Sequence, residues 1–207
     1  MKRYDRAYFV RWYRGRHRVN SEAEVRRKVA MAIAVAEYLQ RRPVRSVLDV
    51  ACGEGAWRPH LQALRPGIRY MGLDPSEYAV AKYGSSRNLR QSSFGELATL
   101  RLRGTFDLVV CSDAMHYIDE EEIRAGLPEL VRLAGCTLYL EILTREDAIV
   151  GDLQNLHQRP ARWYRALFEE HGLRHVGPYT WIVPQRLDET AELERPALSK
   201  RRPVPPR

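Results

Sequence analysis

The 207-residue chain is nearly devoid of lysine, with only Lys2, Lys28, Lys82 and Lys200, so its formal net charge of +8 is carried almost wholly by arginine. Cysteine is also scarce: Cys52, Cys111 and Cys136 form an odd set with no C-x-x-C spacing. That pattern argues against a disulfide framework or a zinc or redox motif, and it fits free thiols in a reducing compartment. No apolar run approaches the length of a membrane-spanning helix, and the N-terminus lacks the apolar core of a secretory signal. The expectation is a cytoplasmic protein with no membrane partner. No repeat and no second large domain is visible, and the length suits one α/β domain with a substantial core.

What the chain does have is arginine at both ends. Arg11, Arg14, Arg16, Arg18, Arg26 and Arg27 crowd the start; Arg201, Arg202 and Arg207 crowd the finish. Such charge holds nucleic acid or another anion by electrostatics alone. No aromatic–basic motif of an RNA-binding module accompanies it, so a solvated arginine-rich surface is the plainer reading, with nucleic acid left open as a partner.

Three segments are predicted. Residues 1–20 are aromatic and basic, with Tyr8, Trp12 and Tyr13 at spacings that share a helical face. Residues 21–187 form the domain proper. Residues 188–207 are polar and Pro/Arg-rich and are expected to be disordered.

Within the domain, Ser21 and Glu24 spell a capping box for a helix ending near Arg41, before Pro43. The apolar run Val44 to Val50 reads as a buried strand entering the turn Ala51-Cys52-Gly53-Glu54-Gly55. Helix, strand (Ile68 to Asp74), helix, a weak strand (Leu89 to Ser92) and a strong one (Phe106 to Cys111) follow. Asp119 opens a helix that Pro128 is expected to kink or split, and Cys136 to Leu143 makes a fifth strand. A helix from Pro160 to Gly172 and one or two strands between Arg174 and Val183 complete the pattern. Alternation of this kind predicts a doubly wound, mostly parallel α/β sheet of the Rossmann-like type, with helices on both faces and an antiparallel edge element near the C-terminus. Ligands of such sheets sit outside the carboxyl ends of the strands.

The turn after the first strand carries the functional argument. Its glycines permit positive φ and close approach of the main chain to a ligand. A dinucleotide fingerprint would place a third glycine where Arg58 stands. Asp49 and Glu54 would also repel a pyrophosphate, which wants a bare helix N-terminus. An acidic turn suits a cationic ligand without phosphate, such as S-adenosyl-L-methionine. Asp74, about twenty residues farther at the end of strand two, has the two acceptor oxygens that match a ribose cis-diol. The alternative is that Asp74 merely caps the helix beginning at Pro75.

Asp49 to Gly55 resembles motif I of class I S-adenosylmethionine-dependent methyltransferases, and Gly72-Leu73-Asp74-Pro75-Ser76 resembles motif II. The likeness runs from about Val44 to Leu143 and is nearest to small bacterial methyltransferase-domain proteins of the type 11 and type 12 kind. Ala51 stands where the family has its first glycine, which costs little if that position tolerates a methyl group.

The resemblance implies a cofactor shell of Asp49, Ala51, Cys52, Gly53, Gly55, Asp74, Pro75 and Ser76. Ser93, Phe94 and Gly95 would flank the adenine, although the family's usual acid is missing there. Cys111, Ser112 and Asp113 would line the methionine end, with S-adenosyl-L-homocysteine as the product. Trp57 either walls this pocket or packs its helix against the sheet.

In-line methyl transfer to a thioether leaving group needs alignment and desolvation more than covalent assistance. His116, after strand four, is the candidate base if the acceptor must lose a proton, since imidazole titrates near neutrality. Its alternative role is to position the loop. Tyr117 and Glu141 are weaker candidate bases.

Tyr8, Trp12 and Tyr13 are candidate acceptor contacts in a lid, with Arg14 or Arg18 reading an anion. Tyr117, His157 and Tyr164 are weaker candidates for that pocket. No metal site is expected.

The absence of an Asn/Asp-Pro-Pro-aromatic run, a Pro-Cys pair and an Asp-Asn pair disfavours amino-directed DNA, cytosine-C5 and metal-assisted catechol chemistry. The expected acceptor is the O or N of a small molecule. RNA methylation and non-catalytic binding of the cofactor remain alternatives, and a nicotinamide oxidoreductase is disfavoured by Arg58 and the acidic turn.

Overall fold

The computed structural model describes residues 4–14, 18–149 and 151–191. A short helix α1 (Arg6–Phe9) runs into a π-turn (Val10–Arg14), followed by α2 (Glu22–Gln40). The predicted capping box is formed: the Glu24 N–H donates to Ser21 Oγ at 3.2 Å, and the Ser21 N–H donates to Glu24 Oε2 at 2.6 Å. Then come β1 (Ser46–Val50), α3 (Trp57–Leu64), β2 (Arg69–Asp74), α4 (Glu77–Arg87) and β3 (Leu89–Gln91). The second half holds β4 (Phe106–Ser112), α5 (Glu120–Leu133), β5 (Ala134–Glu141), α6 (Ala161–Glu170), β6 (Arg174–Gly177) and β7 (Thr180–Ile182).

The seven strands form one sheet in the order β3-β2-β1-β4-β5-β7-β6. All pairings are parallel except those of β7, which runs antiparallel between β5 and β6. The chain thus winds outward from β1 to β3, then crosses back to place β4 on the other side of β1. That reversal makes β1 and β4 the switch point, where the strands diverge from the loops that follow them.

Both faces of the central strands are buried, which explains their continuous apolar runs. Alternate residues serve opposite layers. Leu48, Val50, Val109 and Cys111 pack under α5 and α6 with Leu127, Leu130, Leu167 and Phe168. Val47, Leu108, Val110 and Tyr139 pack under α2 and α3 with Val29, Ile33, Trp57 and Leu61. The three cysteines are free.

Pro128 neither splits nor interrupts α5, which is continuous from Glu120 to Leu133. Pro128 and Arg124, whose carbonyl it deprives of a donor, are both exposed residues. At the C-terminus a 3-10 turn spans Pro184–Glu189, and Thr190 is buried behind it. Most of the expected polar tail, residues 192–207, lies outside the described residues. Among the described residues no helix is long and apolar enough to cross a membrane.

Candidate functional site

A cavity of about 570 Å³ opens at the carboxyl ends of β1 to β4. Its floor is formed by residues at or just past the end of each strand: Ala51 and Gly53 after β1, Asp74 at the end of β2 with Pro75 and Ser76, Ser92 to Phe94 after β3, and Asp113 and Ala114 after β4. Its roof is the N-terminal segment, through Tyr4, Asp5, Tyr8, Phe9 and Tyr13. Tyr78 on α4, Tyr117, Ile118, Glu122 on α5 and Asn155 complete the wall.

The floor is held by Asp74. Its Oδ2 accepts the Gly53 N–H at 2.7 Å and its Oδ1 accepts the Ser76 N–H at 2.9 Å, so one carboxylate ties the β1 turn to the β2 turn. Ser76 in turn caps α4, accepting the Ala79 N–H on Oγ at 3.0 Å. Asp74 lines the cavity and does not cap α4; that duty falls on Ser76. A carboxylate has about four acceptor sites, so two backbone bonds leave capacity for a diol. Burial raises the Asp74 pKa, and the two backbone donors work against that rise.

The turn itself is strongly curled. Ala51, Gly53 and Gly55 have φ of +57°, +56° and +74°. A methyl group at Ala51 is therefore not free, because a left-handed conformation costs a non-glycine residue about 1 kcal/mol. At Gly53 a Cβ would come within 3.2 Å of the Phe9 ring, so the glycine also admits the roof.

Asp49 lies below this turn, on the α2/α3 face of β1, and takes the Tyr70 hydroxyl on Oδ2 at 2.7 Å. Burial pushes its pKa up to about 7; the Tyr70 hydrogen bond opposes the shift and nearby Asp74 adds to it. Glu54 pairs with Arg14, so neither acid of the turn presents itself to the cavity. The acidity there comes from Asp5, Asp74, Glu77, Asp113 and Glu122.

Several residues singled out from the sequence lie outside the lining. Cys52 and Gly55 belong to the turn but back away from the cavity, and Gly95 donates its N–H to Glu122 Oε1 at 3.0 Å. Cys111 is fully buried in the α5/α6 core, and Ser112 donates its hydroxyl to Glu141 Oε2. Glu141 also pairs with Lys28, its Oε1 2.6 Å from Nζ, and so stays out of the cavity. Trp57 packs on Tyr139 with ring centroids 5.1 Å apart, which settles it as a core residue.

His116 is the main correction. It is 0% exposed, accepts the Leu143 N–H on Nδ1 at 3.3 Å and has Nε2 3.5 Å from Asp113 Oδ1. The loop after β4 winds into a 3-10 turn (Met115–Tyr117), which sends Met115 and His116 inward and Tyr117 to the cavity. Tyr117 is then anchored by donating its hydroxyl to the Asp152 carbonyl at 2.7 Å. His116 is therefore buried behind the loop and does not line the cavity.

The roof differs from a 3.6-residue helix. Its π-turn has a wider period, so Tyr4, Tyr8, Phe9 and Tyr13 face inward while Trp12 turns away and stacks under Arg11, 4.8 Å from the ring centroid. The four inward rings and Tyr78 form one aromatic cluster, with Tyr4–Tyr8 at 5.1 Å, Phe9–Tyr13 at 5.4 Å and Phe9–Tyr78 at 5.8 Å. Two polar clasps hold it down: Ser76 donates its hydroxyl to the Tyr4 carbonyl, and Arg14 donates to Glu54 and to Tyr83 Oη. Arg14 and Arg18 do not line the cavity.

His157 pairs with Asp119 at 3.2 Å and Tyr164 is buried beside Phe168, so neither reaches the site; Asn155, at φ +58°, does. Phe9, Tyr4, Tyr78, Glu122 and Asn155 were not legible as site residues. A period of four to five between Tyr4, Tyr8, Phe9 and Tyr13 was the available signal. No group of His, Cys, Asp or Glu suited to a metal occurs among the described residues.

Residues 48–136 match the family model described as a methyltransferase domain. Trans-aconitate 2-methyltransferase of Deinococcus radiodurans is 30% identical over 112 residues, which make up 53% of this chain and 42% of that protein. The match therefore spans less than half of the relative's length. Magnesium protoporphyrin IX methyltransferase from Synechocystis PCC 6803, solved with SAM bound, superimposes with a TM-score of 0.57 at 19% identity, covering 87% of this chain and 93% of that one. DesVI of Streptomyces venezuelae gives a TM-score of 0.57 at 18% identity, covering 77% and 92%. At such identities the likeness to solved structures is one of fold.

Proposed function

We propose that the chain transfers a methyl group from S-adenosyl-L-methionine to an O or N of a small molecule, a reading supported by the match of residues 48–136 to a methyltransferase-domain family model and by the fold shared with a methyltransferase solved with SAM bound. The observation that carries this reading is the cavity at the β1/β4 switch point, floored by a turn that Asp74 locks to the end of β2.

The residues present fit that cofactor. Ala51 and Gly53 expose main chain to the cavity and Asp74 offers acceptor capacity for ribose hydroxyls. Pro75, Ser76, Ser93 and Phe94 continue the same wall, with Phe94 only 3% exposed and able to pack on a base. Asp113 lies at the β4 end, where a positively charged methionine moiety would meet it. The bound cofactor supplies a methyl group activated by a cationic sulfur, which leaves as a neutral thioether.

The chain's own contribution is alignment and exclusion of water. The aromatic roof lies over the floor of the cavity, and the Arg14 and Ser76 clasps hold it there. Neither His116 nor any other described histidine lines the cavity, so proton removal from an acceptor falls to carboxylates or to water.

Titration calorimetry with S-adenosyl-L-homocysteine and with NAD tests the assignment directly. Binding of the former alone is expected; NAD binding, or no binding of either, would reject it.

A further inference from the structure

Resting on that reading, we infer that Lys28 and Glu141 are positioning residues of the methyl-transfer site. Their ion pair sets the end of β4 at the cavity floor and ties it to the base of the roof. Neither residue lines the cavity. Lys28 Nζ lies 2.6 Å from Glu141 Oε1, with side chains only 19% and 10% exposed. The pair joins the second turn of α2 to the carboxyl end of β5.

The network extends both ways from this pair. On one side Lys28 donates to Asn20 Oδ1 at 2.7 Å, and the neighbouring Val19 N–H donates to the Trp12 carbonyl of the roof at 2.9 Å. On the other, Glu141 Oε2 accepts the Ser112 hydroxyl, and the Glu141 carbonyl accepts the Asp113 N–H at 2.9 Å. Asp113 has φ of +57° and lines the cavity. A left-handed residue other than glycine persists only where its surroundings over-determine it. Glu141 supplies that restraint, gripping Ser112 through its side chain and Asp113 through its main chain.

Two charges taken out of water recover little net stability from each other, so a buried ion pair is a weak device for holding a fold. What it gives is direction. Each oxygen of Glu141 has its own donor, one from α2 and one from β4, which fixes the carboxylate and with it the placement of both elements. Apolar side chains of the same volume would fill the space without that restraint. In-line transfer is sensitive to misplacements of about 1 Å. A clamp on the β4 end therefore acts on the reaction without touching it.

The test uses the intact protein well below its unfolding midpoint, with S-adenosyl-L-homocysteine affinity read by calorimetry. Glu141→Gln keeps an acceptor for Ser112 but turns an amide NH2 toward the Lys28 ammonium, and should weaken binding at least about tenfold. Lys28→Met should do the same. The double variant should lie within about threefold of the worse single one, because one shared pair is lost in each. Lys28→Arg, which keeps the charge, should stay within about threefold of wild type. Asp107→Asn separates positioning from mere stability: it disturbs the Arg42 pair and the Arg45 and Ser46 N–H bonds at the amino end of β4. It should lower the unfolding midpoint yet leave affinity within about twofold. Wild-type affinity in Glu141→Gln, additive losses in the double variant, a Lys28→Arg protein as weak as Lys28→Met, or an equal loss in Asp107→Asn overturns the positioning role. Should Lys28→Met fail to fold, Glu141→Gln against Asp107→Asn decides alone. Failure of the wild-type protein to bind S-adenosyl-L-homocysteine would instead remove the methyltransferase reading beneath it.

Discussion

The floor of the cavity hangs from strand ends, with Ala51, Gly53, Asp74, Ser92 and Asp113 lying at or just past the ends of β1 to β4, whereas the roof, Tyr4 to Tyr13, joins no strand at all. The floor is fixed by backbone: left-handed turns at Ala51, Gly53 and Asp113, and N–H groups received by a buried carboxylate. The roof is fixed by ring contacts and two polar clasps to the surface below. Placing a ligand's charged and polar atoms needs the first kind of rigidity. Admitting and enclosing a ligand needs the second, since a segment with few buried contacts opens at low free-energy cost.

Changes to the floor should therefore be felt by the whole domain, and changes to the roof only locally. The largest effect is expected at Asp49. It holds its proton up to about pH 7 when folded but releases it near pH 4 when unfolded, so stability falls as pH rises through that window. Asp49→Asn should remove up to about 4 kcal/mol of that pH-dependent loss. Denaturant midpoints of both proteins between pH 4 and 8 check this; parallel curves would refute the buried-acid account.

His116→Ala comes next. It empties a fully buried site and strips the Leu143 N–H of its acceptor, at a cost of about 3 kcal/mol in stability. If His116 only positions the loop, a low-temperature assay of the folded variant should keep the wild-type pH profile. A lost acidic limb would restore it as a proton acceptor.

Asp74→Ala should weaken S-adenosyl-L-homocysteine by about 2 kcal/mol, as the proposed partner of the ribose diol goes and the Gly53 and Ser76 donors are orphaned. Unchanged affinity by calorimetry would take Asp74 out of the site.

Ala51→Gly should raise stability by at most about 1 kcal/mol, because relief of the positive φ is partly offset by the freer unfolded chain. Thermal unfolding measures it, and a lower midpoint would contradict the strain.

Arg14→Ala should move global stability least, by less than about 0.5 kcal/mol, since the guanidinium is exposed. Amide exchange in residues 4–14 should nonetheless quicken. Faster exchange throughout the domain instead would erase the distinction between floor and roof.

Much of the floor could be read in advance. The apolar runs of β1, β4 and β5 are those of strands buried on both faces, and the break from period two to a glycine-rich turn marks where the ligand edge lies. Asp74 could be located because it ends a strand beside that turn. The misplaced residues share a cause. Trp57, Cys111 and His116 lie within a few residues of the cavity along the chain, but which way each side chain points depends on how the next turn winds. Trp12 was misassigned because a period of 3.6 was assumed where a π-turn runs.

The order of strands and helices, the turn after β1 and the acid after β2 were written in local pattern, because hydrophobic period, capping and glycine content act over a few residues and need no distant partner. The acidic cavity in a basic chain was not. Asp5, Asp113, Glu122 and the roof rings are far apart in sequence, and only packing of α1 and α5 over the strand ends brings them to one surface. Charge at a site is a sum over neighbours in space, so it could be known only once the chain was folded.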